Sequence, residues 1–170
     1  VSITGTTARL DDGSPDDVSN DQGGLAVAEQ GLYVSSTGFL AGESAVITID
    51  FSHPGGVSNV SFTIFDIDRG GGPNFIDEVQ ASYTASGAVA LGIATSANNT
   101  LAAPDTVQGT QSTTSNGPNS GDANATFTFT GTGITQIQLN YRNAGGATGQ
   151  SVTLHDLMPL TAPALAGYGR

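Results

Sequence analysis

Cysteine, lysine and tryptophan are all missing from this chain of 170 residues. Without cysteine there is no disulfide frame, no thiol nucleophile and no thiolate zinc site. Without lysine there is no Schiff-base chemistry and no Lys–Asn isopeptide cross-link. Sugar-binding platforms lean on exposed flat aromatics, and here only Tyr33, Tyr83, Tyr141 and Tyr168 supplement seven Phe, which disfavours such a platform. No apolar run approaches the roughly 20 residues needed to span a bilayer. Imidazole is confined to His53 and His155, and no Gly-x-Ser-x-Gly elbow is present. Serine is so abundant that a Ser-His-Asp triad drawn on paper carries no information, and no carboxylate pair stands out as a glycosidase pair. The chain reads as non-enzymatic.

Acid is what the chain has in excess: fifteen Asp and Glu against four Arg, a formal charge of −11. Such a surface repels nucleic acid and anionic membranes and favours cations or an extracellular medium. The length fits one domain with one core. The chain opens on Val1 without a basic–apolar leader, so the expectation is a processed mature chain or an excised domain. An acidic composition rich in Gly, Ser, Thr and Asn, lacking Cys and Lys, is one associated with secreted bacterial surface proteins.

Residues 60–83, VSFTIFDIDRGGGPNFIDEVQASY, organise the rest. Val60, Phe62 and Ile64 alternate with Ser61 and Thr63, the period of a half-buried strand. The strand ends on Asp66-Ile67-Asp68, a glycine-rich turn follows over 69–74, and a second strand opens at Phe75, Asp77 and Glu78. Strand, loop and strand then bring Asp66, Asp68 and Asp77 to one edge of a sheet. Asp66 shares the parity of Phe62 and Ile64 and is expected to be partly desolvated, with Arg69 the nearest cation in sequence. Like charges this close call for a hard cation, and calcium is the ion expected, with Asn74 and loop carbonyls completing six to eight oxygens.

Two further acidic places follow the same logic. Residues 9–24 hold Asp11, Asp12, Asp16, Asp17 and Asp21 among Gly, Pro, Ser and Asn, a composition that predicts a loop with no regular element. An EF-hand spacing fails from Asp12 and from Asp16, yet Asp12, Asp16 and Asp17 remain candidate ligands of a second calcium loop, beside the alternative of a merely solvated loop. Asp156 shares a strand face with Val152 and Leu154 and is a candidate further ligand, with His155 on the outward face.

Alternation also marks strands over 1–7, 44–52, 88–94, 125–130, 134–143 and 151–158, with a short one over 106–109. Residues 25–34 fit a short helix or two short strands, and 95–124 reads mainly as polar loop. His53-Pro54-Gly55-Gly56 predicts a turn between adjacent antiparallel strands, and Gly131-Thr132-Gly133 predicts a hairpin. The Thr row at 126, 128 and 130 fits the wet side of a strand. Eight to ten short strands and no helical period give an all-β, two-sheet antiparallel β-sandwich of jelly-roll or Greek-key type. One domain spans 1–170, with the recognisable core at 44–158.

The run FTIFDIDRGGGPNFIDEV, the Ser/Thr/Asn-rich middle and the closing ATFTFTGTGITQIQLNYRN and VTLHDL resemble calcium-dependent β-sandwich domains of large bacterial extracellular proteins, including adhesins and biofilm-matrix components. In those domains an Asp-x-Asp strand end precedes a Gly-bearing loop and an Asp-Glu/Arg-Val strand. Asp66, Asp68 and Asp77 stand in those positions. The resemblance implies a calcium-binding structural or adhesive module at the cell surface. Its expected partners are neighbouring surface proteins or other copies of itself, joined by strand addition through residues 1–7, with an ordinary edge strand in its own sheet the favoured alternative for that segment. A carbohydrate-binding module with a glycan partner is the alternative.

Overall fold

A computed structural model describes residues 1–18, 23–25, 31–71, 74–110, 120–146 and 148–161. The expectations for residues 26–30, most of the loop over 116–122, part of the glycine turn and the tail after 161 lie outside them. Twelve strands form: β1 (Ser2–Gly5), β2 (Asp16–Val18), β3 (Gly31–Ser36), β4 (Ser44–Asp50), β5 (Ser58–Phe65), β6 (Asp77–Ala85), β7 (Val89–Thr95), β8 (Asn99–Ala103), β9 (Thr106–Gly109), β10 (Ala125–Gly131), β11 (Ile134–Asn143) and β12 (Gln150–Thr161). They make two six-stranded sheets, ordered β1-β4-β11-β6-β9-β8 and β2-β3-β12-β5-β10-β7, with every pairing antiparallel. The all-β, two-sheet expectation holds. The count of eight to ten strands was low because β2 and β8 have polar sequences that show no alternation.

The inner faces are those that alternation marks. Val60, Phe62 and Ile64 of β5, Phe127 and Phe129 of β10, and Ile137, Leu139 and Tyr141 of β11 are all at most 2% exposed and join one core. Phe62 stacks on Phe127 with centroids 5.5 Å apart and planes 16° from parallel. On the outer face of the same pair, Thr63 and Thr126 hydroxyls lie 2.9 Å apart, and the Ser61 hydroxyl lies 3.3 Å from that of Thr128.

Connectivity differs from the expectation in two places. β4 and β5 are not neighbours: the turn at 53–56 carries the chain from the first sheet to the second. β10 and β11 are not a hairpin either, since β10 pairs with β5 and β7 while β11 pairs with β4 and β6. Both links are corners. At Gly131 (φ +153°) a Cβ would lie 2.2 Å from the Ala88 carbonyl oxygen, so only glycine lets the corner close against the preceding link. Only β2–β3 and β8–β9 pair as sequence neighbours within one sheet.

Two local expectations are also corrected. Asp16–Val18 of the acidic stretch does form a regular element, because it pairs with Gly31–Tyr33 at the sheet edge. His155 does lie on the outer face, opposite Thr63, but is 3% exposed and stacks on Phe65 at 4.8 Å, whereas the Asp156 side chain, expected inward, is 65% exposed. A break in register between His155 and Met158, with Asp156 at φ +55°, reverses the parity on which the inward reading depended.

Truncating Phe127→Ala is expected to destabilise the fold by about 2–5 kcal/mol and Leu139→Ala by a similar amount, whereas Thr128→Ala on the outer face has little effect. Chemical denaturation of the three variants checks this. A larger loss for the threonine change would contradict the assigned faces.

Candidate functional site

Three connections between the sheets meet at one end of the sandwich: 6–15 after β1, 66–76 after β5 and 144–149 after β11. The second holds the acids. β5 stops at Phe65 because Asp66 takes a left-handed conformation, φ +68°, which few residues other than Gly, Asn and Asp tolerate. Ile67 then drops into the core, fully buried, its N–H donating to the Ala123 carbonyl at 2.9 Å. The chain returns through the bridge between Arg69 and Ile76.

Asp68 and Asp77 fasten this loop to itself. The Asp77 N–H donates to the Asp68 carbonyl at 2.9 Å, and the Asp68 N–H donates to Asp77 Oδ2 at 3.3 Å. Both residues are 1% exposed. The Tyr141 hydroxyl donates to Asp77 Oδ1 at 2.8 Å, anchoring the carboxylate to the central strand β11. Beside them β9 runs so close that a Cβ on Gly109 would stand 2.0 Å from the Asp68 carbonyl oxygen. Asn143 closes the neighbouring connection, its Oδ1 accepting from Ile76 N at 3.0 Å and Gly145 N at 2.8 Å.

Burial pushes the Asp77 carboxyl well above the ordinary carboxylate range, and the charges of Asp68 and then Asp66 push the same way against the lowering effect of the Tyr141 hydroxyl. The Tyr141 phenol is raised by burial and by the Asp77 charge. Both hydrogen bonds to the Asp77 oxygens come from neutral donors, so its charge is not neutralised by them.

Asp66, Asp68 and Asp77 line a common cleft of about 290 Å³, together with Asp11, Ser36 and Gln150. Asp11 arrives from the first connection and accepts a hydrogen bond from the Ser35 hydroxyl. Gln150, at the start of β12, is 5% exposed. Its carboxamide lies near enough to Tyr141 to oppose weakly the phenol's upward shift, yet neither Oε1 nor Nε2 has a hydrogen-bond partner. The Gln150 amide is thus a buried polar group beside converging carboxylates.

The other expected ligands are not brought there. Asn74 is exposed on its loop, Asp12 is exposed and lines a separate groove under β1, and Asp156 lies six residues along β12 from Gln150, about 20 Å at a strand's rise. The backbones of Asp16 and Asp17 lie in edge strand β2, and their side chains lie outside the described residues. The acids thus meet between the sheets rather than along one sheet edge, because β5 and β6 belong to different sheets. Asp11 and Gln150 were not foreseen. Gln150 shares the parity of buried Val152 and Leu154, a signal the sequence did contain.

Asp77 binds its proton more tightly folded than unfolded. Its contribution to stability is full below the ordinary carboxylate range and is lost as pH rises through the raised value. The melting temperature in the presence of chelator is therefore expected to fall more steeply, as pH rises above the ordinary carboxylate range, than that of Asp77→Asn, which keeps an acceptor for Tyr141. Parallel profiles for the two proteins would contradict the assignment. These residues carry the functional reading alone: the chain matches no family model, no curated protein and no solved structure.

Proposed function

We propose that the protein is a non-enzymatic, calcium-binding β-sandwich module of an extracellular surface or matrix, in which the cation ties the ends of the two sheets together. The observation that carries this reading is the meeting of Asp66, Asp68 and Asp77 with Asp11 in one cleft, beside the unsatisfied Gln150 amide. Four carboxylates and an amide oxygen form an all-oxygen donor set, which suits a hard cation that takes six to eight oxygens and does not suit zinc. Among the described residues no three acidic or imidazole side chains already stand as a closed metal-binding group, so loading entails closure of the acid side chains around the ion.

The residues that would hold calcium come from both sheets. Asp66 and Asp68 follow β5, and Gln150 opens β12, in the second sheet; Asp77 opens β6 in the first, and Asp11 lies on the link between β1 and β2. A bound dication supplies the positive charge that the neutral donors around Asp77 lack, and it acts as a clamp across the interface between the layers. Modest calcium affinity is enough outside the cell, where loop sites of this kind work at about 0.1–1 mM. The acidic, lysine-free composition agrees with that medium. For the carbohydrate alternative there is no comparable support: among the described residues Tyr83 is the one exposed Tyr or Phe, and its hydroxyl is engaged with the Val89 carbonyl at 2.8 Å.

Calcium at a hundredfold excess over its dissociation constant is expected to add about 2.7 kcal/mol to stability, so chelation lowers the melting temperature by several degrees. The double change Asp66→Asn and Asp68→Asn removes most of that difference. Differential scanning calorimetry with calcium and with chelator decides the matter, and superimposable scans of the native sequence would sink the calcium reading.

A further inference from the structure

The two flanks of the sandwich are unlike each other. One is closed by β1 and β2, the other by β8 and β7. Residues 1–78 contain twelve of the fifteen acids with Arg9 and Arg69, a net charge of −10. Residues 79–170 contain Asp105, Asp122 and Asp156 against Arg142 and Arg170, a net charge of −1. Strands β7 and β8 come from the stretch 79–104, in which there is no charged residue. The nearest acids are Asp105 in the turn after β8 and Asp122, whose carbonyl accepts from Asn98 N and the Ser96 hydroxyl of the β7–β8 link.

β7 is an unguarded edge. It pairs with β10 without interruption from Val89↔Gly131 to Thr95↔Ala125, and among the described residues nothing pairs with its other side. Its seven residues, VALGIAT, include no charge and no proline, and its ladder has no bulge. Those are the devices by which sheet edges refuse a further strand. The opposite flank has them: β2 is three residues long, carries Asp16 and Asp17 and follows Pro15. Next to β7, Leu101 of β8 is 47% exposed.

We infer that the β7 edge docks a second copy of this chain, β7 against β7 and antiparallel, so that the six-stranded sheets of two molecules run on as one. Charge selects that occupant. Molecules each carrying −11 repel where their acidic flanks face, over a distance of about 8 Å at physiological ionic strength. The uncharged β7 edge is where like molecules approach with the least of that penalty. A strand meeting its own copy antiparallel is self-complementary, as a two-fold contact requires, and the exposed backbone groups of each edge satisfy those of the other. This inference is independent of the calcium reading.

Sedimentation velocity of the full chain at rising concentration, in calcium buffer, tests the proposal. The expected result is a monomer–dimer equilibrium that strengthens with added salt, as the remaining acid repulsion is screened. Ala90→Asp with Ala94→Asp places charges on exposed positions of β7 and is expected to weaken dimerisation about tenfold or more, with an unchanged circular dichroism spectrum. Ser82→Asp with Thr84→Asp adds the same charge to exposed positions of β6, inside the other sheet, and leaves dimerisation within about twofold of the native sequence. A chain that stays monomeric at every concentration and salt level overturns the inference. So does a dimer equally weakened by both charge pairs, or one abolished by deleting residues 1–8, which would assign the contact to an exchanged β1.

Discussion

A single carboxylate, Asp77, determines how the two layers meet at the acidic end of the molecule. It is buried, it opens β6, and it accepts hydrogen bonds from the Asp68 N–H of the loop and the Tyr141 hydroxyl of the central strand. Moving it would unfasten the β5–β6 crossing and free a phenol in the core at the same time. Placing an acid there has an energetic consequence, since burial favours its neutral form and neighbouring acids favour it further. The site around Asp77 therefore balances packing against charge, and an added cation shifts that balance toward the ionised state.

The strands of this protein were largely legible in its sequence, and their partners were not. Alternation at Val60–Ile64, Ala125–Thr130 and Ile137–Tyr141 reports which side of a strand is buried. In a sandwich both sheets bury the side that faces the shared core, so the pattern of β10 is the same whether β11 lies beside it or opposite it. The Gly131-Thr132-Gly133 link has the composition of a hairpin and the geometry of a corner. Nothing local separates the two; the difference lies in partners far away in sequence, such as Thr128↔Ser61 and Leu139↔Ile47.

The candidate site divides along the same line. Asp66, Asp68 and Asp77 could be grouped because one loop joins them. Asp11 and Gln150 arrive from other connections, and only the assembled topology places them beside that loop. Tyr141 was legible as a core residue, and a buried phenol needs an acceptor; which acceptor depended on the pairing of β6 with β11. Asp156 shows the opposite failure, since a register break displaced it from the face its parity assigned.

The crossings between layers also govern the order in which the chain can become a protein. β11 lies between β4 and β6, and β12 lies between β3 and β5, so the strands last in sequence are central to their sheets. Ile47 has only Ile3 beside it until Leu139 arrives, and Leu32 only Asp17 until Leu154 does. A chain emerging from its N-terminus therefore carries most of its apolar faces unpaired until the final strands are present, and such non-local pairing makes folding slow. Gln150 belongs to the last of those strands, so the acidic cleft is completed only when folding is nearly over. An ion captured there would mark the finished molecule and leave the growing chain untouched.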